Sequence, residues 1–299
     1  MDRRSFLKAG ITAGAALSMA KFDNILGAFQ GAPDLVAVKG GEPDVMLDKA
    51  LDAMGGIKSF VKKGQKVVIK PNIGWDVDPE RAGNTNPLLV GRLIEQCYNA
   101  GAKEVYVFDH TCDDWKRCYS TSGIERIVKE KKGIMVPANT ENYYHKVEIN
   151  NGKRLKDAEL HELILSSDVF INVPVLKNHS SSKLSISMKN LMGIVWDRGY
   201  WHKNDLHQCM ADLTTAYKPT INIVDAYNVM MRNGPRGVSK ADVVQMKSLL
   251  ISKDIVAADA AAAKLFGMEP ASVNHIKYGA EMHVGNIDLS KLNIKRIIL

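Results

Sequence analysis

Cysteine is scarce in this chain of 299 residues: there are four, Cys97, Cys112, Cys118 and Cys209, and no two form a Cys-x-x-Cys pair. Ferredoxin-type cluster ligation needs closely spaced thiolates, so a four-iron-four-sulfur cluster of the chain's own is not expected. In an oxidising compartment Cys112 and Cys118 could pair, although spacing alone does not settle connectivity. Gly-x-Gly-x-x-Gly and the P-loop pattern are both missing, which removes the two usual glycine-rich cradles for nucleotide phosphates. His161-Glu162 lacks the second histidine of a zinc-protease helix. Past the first twenty residues there is no apolar run near the ~20 residues that span a bilayer, and there is no solenoid-length repeat or low-complexity tract. Lysine and arginine number 40 against 33 acids, a net charge of +7. Apart from Lys62-Lys63 and the Lys129–Lys132 stretch the basic residues are dispersed without interleaved aromatics, so nucleic acid is not an expected partner.

What is present begins with the first eight residues, where Arg3-Arg4 is followed by Phe6-Leu7-Lys8 and then by the small, apolar stretch Ala9 to Ala20. An arginine pair before a short apolar segment resembles a twin-arginine export signal, and the segment has the length of a signal-peptide core. Ser18-Met19-Ala20 offers the small residues read by a signal peptidase, with a second exit near Gly31-Ala32. Residues 1–32 are therefore expected to be a twin-arginine signal and short linker, with the translocase as partner and a periplasmic or otherwise extracytoplasmic destination. That route carries folded cargo, which leaves room for an unknown cofactor loaded before export.

From residue 33 to 299 strand-like and helix-like patterns alternate, and a single α/β domain is expected, with a mostly parallel central sheet and helices on both faces. Strands are predicted at Leu35–Val38, Lys66–Ile69, Glu104–Phe108, Ile134–Pro137, Val169–Val173, Ile221–Val224 and Ser248–Ile251. Several are unbroken valine and isoleucine runs, the pattern of strands covered on both faces. Asp44 to Met54 repeats apolar residues at helical spacing. Asn86-Pro87 supplies a cap and a first-turn proline for a helix closed by Gly101. Gly123 to Lys132, Asp205 to Tyr217 and Ile255 to Phe266 are further helices, the last capped by Asp254 and closed by Gly267. Asn150-Asn151-Gly152 reads as the turn of a hairpin between Lys146–Ile149 and Arg154–Leu155, and the tail ending Ile297-Ile298-Leu299 as a last strand.

In open α/β sheets ligands bind beyond the carboxyl ends of the strands. Four predicted strands hand over to ionisable or amide side chains there: Lys70-Pro71-Asn72, Asp109-His110-Thr111, Lys177-Asn178-His179 and Asp225. Ser180-Ser181-Ser182 and Lys189-Asn190 follow in an otherwise apolar stretch, and the glycine-rich loop Asn233 to Gly237 could cover the site. Together they suggest a cationic pocket for a carboxylate or phosphate. Lys70, Asn72, Asp109, His110, Lys189, Asn190 and Asp259 are expected to bind the ligand, Lys177, His179 and Asp225 to carry the chemistry. His179 is the proton-transfer candidate because an unperturbed imidazole titrates near pH 6.5. Asp259, a charge inside an apolar helix, is expected to orient a lysine or hold a metal. A metal on His110, His179 or His202 is a weaker expectation, and the metal is left unassigned.

The combination Lys70-Pro71-Asn72, Ile171 to Lys177 with His179, Lys189-Asn190-Leu191-Met192-Gly193, Asp225 with Asn233-Gly234-Pro235, and Ala257 to Gly267 resembles domain-of-unknown-function family 362, over roughly Leu35 to Leu299. Many members carry ferredoxin modules, which this chain lacks. Asp109-His110-Thr111 after a strand is also similar to a segment of lactate-racemase-type nickel-pincer enzymes, which use lysine and histidine near a carboxylate substrate. The resemblances imply redox or isomerase chemistry on an anionic small molecule. Two alternatives stay open: an exported, non-catalytic binding protein for such an anion, and an accessory subunit of an iron–sulfur complex with a redox partner protein.

Overall fold

The computed structural model describes residues 31–299, so nearly all of the expected export signal lies outside the described residues. Residues Asp34–Leu299 form one compact unit. Its strands are β1 (Leu35–Lys39), β2 (Lys66–Pro71), β3 (Glu104–Val107), β4 (Ile134–Met135), β5 (Tyr144–Glu148), β6 (Asp157–His161), β7 (Val169–Val173), β8 (Val175–His179), β9 (Lys183–Ser185), β10 (Ile221–Met230), β11 (Val243–Ser252) and β12 (Ile294–Ile298). Its helices are α1 (Pro43–Ala53), α2 (Pro87–Asn99), α3 (Trp115–Thr121), α4 (Ile124–Glu130), α5 (Glu162–Ser166), α6 (Ser187–Asn190), α7 (Arg198–Lys203), α8 (Leu206–Ala216), α9 (Ile255–Phe266) and α10 (Asn274–Glu281).

The main sheet runs β12-β1-β11-β10-β7-β2-β3-β4, with β8 paired to β10 and β9 paired to β8. Pairing is parallel except at the β1–β11, β10–β11 and β8–β9 contacts. Alternate residues of the apolar strands feed two separate cores. Val67, Ile69, Ile171, Ile223 and Ile251 pack with α1 and α2 on one face, while Val68, Phe170, Val224 and Leu250 pack with α8, α9 and α10 on the other. Each such buried side chain contributes roughly 1.5–3 kcal/mol, which is why the strands read as unbroken apolar runs rather than as alternation.

The helix boundaries follow the expected local chemistry. The Asn86 side chain accepts the Leu88 amide at the start of α2, where Pro87 needs no donor. Asp254 accepts the Val256 and Ala257 amides at the start of α9, and Gly267 closes that helix with φ 90°, a left-handed value glycine adopts without strain.

Three expectations are corrected, and one strand is added, by long-range pairing. Strand β4 is only two residues long, Ile134–Met135. The turn at residues 150–152 exists, but β5 pairs with Asp157–His161 rather than with Arg154–Leu155. The Arg154 and Leu155 amides are taken by Asp212 Oδ2, at 2.6 and 2.8 Å. Val175–His179, for which no strand was predicted, forms the strand β8. Strand β10 continues past Val224 to Met230 because β11 pairs along its whole length.

Strand β2 is the turning point of the topology. From it the chain moves outward through β3 and β4, then returns to lay β7 against the other edge of β2 and β10 beyond. A crevice opens at the carboxyl ends of the strands where the order reverses, and Lys70, Asn72 and the β7–β8 junction lie there.

Candidate active site

That crevice is lined by Lys70 and Asn72 from the end of β2, Asp109, His110 and Cys112 after β3, Lys177 and His179 on β8, Lys189 and Asn190 on α6, Gly193, and Arg198 at the start of α7, with Trp75 and Pro235 also lining it. It encloses about 60 Å³. Pockets for drug-sized ligands run roughly 300–1,000 Å³, so this one suits a small group such as a carboxylate. Four of its lining residues are cationic, and Asp109 is their one acid.

Asp109 is committed to Lys70. Its Oδ1 lies 2.8 Å from the Lys70 ammonium, with both side chains buried, and its Oδ2 accepts the Ile73 amide at 2.6 Å. Lys70 also donates to Asn190 Oδ1 at 2.8 Å. Burial pulls the Lys70 pKa down and the Asp109 charge opposes it. The Asn190 amide nitrogen donates to the Lys70 carbonyl and to Asn172 Oδ1, and Asn172 in turn bonds Ser187 and Asn222. This chain of amides fixes the floor, since each buried polar group is satisfied by the next.

Lys177 and Lys189 meet only neutral acceptors. The Lys177 ammonium donates to the Gly83 carbonyl at 2.5 Å and to Asn72 Oδ1 at 3.3 Å. Lys189 donates to the Met192 sulfur at 3.0 Å, a weak acceptor. Burial, with the charges of Lys189 and Lys70, lowers Lys177 to about 7, and burial, with the charges of Arg198 and Lys70, lowers Lys189 to about 8. An anion placed between them would restore the ammonium forms.

The two histidines carry opposite tautomers. His110 stacks on Trp196 with ring centroids 5.0 Å apart, and its Nδ1 lies 2.9 Å from the Val195 carbonyl. A carbonyl can only accept, so the proton sits on Nδ1 and the lone pair on Nε2. His179 is reversed. Its Nδ1 accepts the Ser181 and Ser182 amides at 3.2 and 3.4 Å, so its proton sits on Nε2. Burial, reinforced by Lys189 and Lys177, pushes His179 down to about 3, and burial together with Arg198 lowers His110. Both rings are neutral near pH 7, His110 an acceptor and His179 a donor. This reverses the expectation for His179, which rested on an unperturbed imidazole.

Two predicted residues do not reach the crevice. The Asp225 carboxylate, inside β10, accepts the Asn86 amide at 2.7 Å and the Tyr227 amide at 3.0 Å. Burial raises it to about 6. Asp259, on α9, accepts the Ser187 and Met188 amides at 2.7 and 3.0 Å. It caps α6 and so aims Lys189 and Asn190 rather than touching a ligand. Burial raises it to about 7. Sequence reasoning missed Arg198, whose guanidinium donates to the carbonyls of His110 and Thr111 at 2.8 and 2.7 Å and so pins the loop that carries His110. It also missed Cys112, the exposed thiol of the four, all of which are free. Only their convergence in space marks them.

Among the described residues no three His, Cys, Asp or Glu side chains stand where they could hold a metal ion. No helix of the described residues is long and apolar enough to cross a membrane.

Two solved structures share the architecture. The lactate racemase apoprotein of Thermoanaerobacterium thermosaccharolyticum superposes with a TM-score of 0.52 at 11% identity, over 77% of this chain and 56% of that one. A structural-genomics protein of Thermotoga maritima gives 0.51 at 12%, over 76% and 60%. The chain thus spans little more than half the length of these structures, and the likeness is one of fold. In sequence it is 26% identical over 237 residues to the thylakoid-associated protein sll1697 of Synechocystis, covering 75% of this chain and 70% of that protein. The family model described as "Domain of unknown function (DUF362)" matches residues 67–264, from β2 to within α9, and the chain belongs to that family.

Proposed function

We propose that the crevice is the active site of an enzyme that moves a proton on a small carboxylic acid, an isomerase-type reaction at the carbon next to the carboxylate. The observation that carries this reading is the pair Lys177, buried, and Lys189, half-buried, two cations at one crevice with no acidic partner. They bind the carboxylate and stabilise the charge that spreads into it when the neighbouring carbon loses its proton. His110 Nε2, the bare ring nitrogen, accepts that proton. His179 Nε2–H donates a hydrogen bond to the developing oxyanion, the role a neutral imidazole with a lowered pKa is suited to. Arg198 holds the His110 loop against the crevice. The lactate racemase fold is compatible with chemistry of this class but does not assign it. Export of the chain by the twin-arginine route, suggested by Arg3-Arg4, belongs to the same proposal, as does any cofactor acquired before export.

The test is hydrogen exchange at the α-carbon of glycolate, malonate and similar small acids in deuterated water, followed by proton NMR. His110→Ala should lower the exchange rate by about 10²–10⁴-fold, the usual contribution of a positioned base, while leaving stabilisation by the same acids in place. Stabilisation by every acid tested without any exchange would favour the non-catalytic binding protein instead.

A further inference from the structure

Thr85 lies in the connection between β2 and α2 and is fully buried. Its hydroxyl donates to the Val173 carbonyl at 2.7 Å and accepts the Asn72 amide at 2.8 Å. Its own amide donates to the Asn72 carbonyl at 2.9 Å. Pro71 and Val173 are the last paired residues of β2 and β7. One residue therefore joins the ends of two neighbouring strands where their ladder stops, and it grips both main-chain polar groups of Asn72.

The residues beside Thr85 are held as well. Asn84 accepts the Trp75 amide at 3.1 Å and donates to the Trp75 carbonyl at 2.8 Å. The Asn86 amide is taken by Asp225. Residues 84, 85 and 86 are thus each tied to a different part of the crevice wall or of β10, and the Gly83 carbonyl is left to meet Lys177.

Both acceptors of the Lys177 ammonium depend on this arrangement. One is the Gly83 carbonyl, two residues before Thr85, and the other is Asn72 Oδ1, on the residue that Thr85 grips. The flexible four-carbon stem of a lysine has many rotamers, and two acceptors at fixed places select one of them. They use two of the three ammonium protons, which leaves the third for an anion. Asp109 does not share this task, being committed to Lys70. Around Lys177 the charges of Lys189 and Lys70 disfavour the ammonium form, while Cys112 and Asp109 favour it. Loss of either neutral acceptor removes hydrogen bonds made to the charged form and so lowers its proton affinity further.

We infer that Thr85 is a positioning residue that aims Lys177 at the crevice by fixing Gly83 and Asn72 relative to each other. Its bearing on catalysis rests on the anion-binding role proposed above for Lys177, and the experiment separates the two.

The experiment is calorimetric titration of the full chain with malonate across about pH 6.5–8.5, the range in which a bound anion and the lysine protons are linked. Thr85→Val, close in shape but without the hydroxyl, should weaken malonate about tenfold at the upper end of this range. It should also move the fall in affinity about one pH unit lower, since one unit of pKa is equivalent to a tenfold change in binding. Thr85→Ser, which restores a hydroxyl, should recover both. In a Lys177→Met background, where Lys189 remains but there is no ammonium to aim, Thr85→Val should add nothing. The inference is overturned if Thr85→Val binds malonate as the wild type does, if it weakens binding without moving the pH dependence, or if it weakens binding as much in the Lys177→Met background. Should Thr85→Val fail to fold, Thr85→Ala, which removes the same hydroxyl without placing a methyl group against the Val173 carbonyl, is read in its place. Malonate bound equally by the wild type and by Lys177→Met would overturn the role of Lys177 itself, and this inference with it.

Discussion

Lys70 and Asp109 form a buried ion pair with 2.8 Å between Nζ and Oδ1 and exposures of 1% and 3%, and Gly193 packs against both. A Cβ at position 193 would overlap Asp109 Oδ1 and come within 2.6 Å of the Lys70 ammonium. Glycine is required there by the approach of the pair and not by its backbone angles, since its φ is not among the positive values.

Gly193→Ala should therefore break this pair. Separating a buried ion pair leaves charges uncompensated and costs about 3–5 kcal/mol. Urea denaturation followed by tryptophan fluorescence measures the loss, and a change under about 1 kcal/mol would show that the neighbourhood yields easily.

Small carboxylates should bind more tightly at low pH. In the free protein Lys177 and Lys189 give up their protons near pH 7 and 8, and a bound anion raises both values by favouring the charged forms. Binding then takes up protons, so affinity is greatest below about pH 7 and declines as pH rises through these values. Calorimetry with malonate in two buffers of different ionisation enthalpy reports the uptake. Proton release, or a dissociation constant flat across this range, would contradict the assignment.

Arg198→Lys keeps the charge but not the planar fork that spans two carbonyls. It should loosen the His110 loop and lower α-carbon exchange at least tenfold, with a stability change of roughly 1 kcal/mol, the scale of hydrogen bonds lost at a partly exposed site. If the dissociation constant for malonate rises while the exchange rate at saturating acid is untouched, Arg198 serves the ligand directly instead.

Cys112 should be the thiol that reacts with iodoacetamide in the native protein. It is exposed and lines the crevice, whereas Cys97, Cys118 and Cys209 are buried, and burial pushes their thiols up to about 12. Mass spectrometry should find one adduct, formed more slowly in the presence of malonate. Protection of a different cysteine would place the anion elsewhere.

Substituting Arg3 and Arg4 together by lysine should retain the chain in the cytoplasm if the proposed export route is correct. Cell fractionation and immunoblotting read this out, and unchanged export would remove the twin-arginine assignment without touching the site.

Much of this architecture is written locally. The unbroken apolar runs at β2, β7 and β10 announce a sheet covered on both faces, because each residue of such a strand needs an apolar neighbour on its own side. Asn86-Pro87 and Asp254 mark helix starts, since a cap acts within three residues of itself. The rule that ligands gather at strand ends collected Lys70, Asn72, Asp109, His110, Lys177 and His179, and the polar pair Lys189-Asn190 in an apolar stretch added two more; all eight line one crevice, whereas Asp225, collected by the same rule, does not.

Other features depended on which distant groups the fold brings together. Asp225 was drawn off by the Asn86 amide, 139 residues away, and Asp259 by the start of α6, 72 residues away. In sequence each is only an acid near apolar residues. Likewise, no local pattern distinguishes His110 from His179. A neutral imidazole is an acceptor or a donor according to what meets its other nitrogen, here a carbonyl in one case and two amides in the other. Sequence set the residues and the strands that carry them. Tertiary structure decided their protonation and direction, because hydrogen bonding and desolvation depend on neighbours in space.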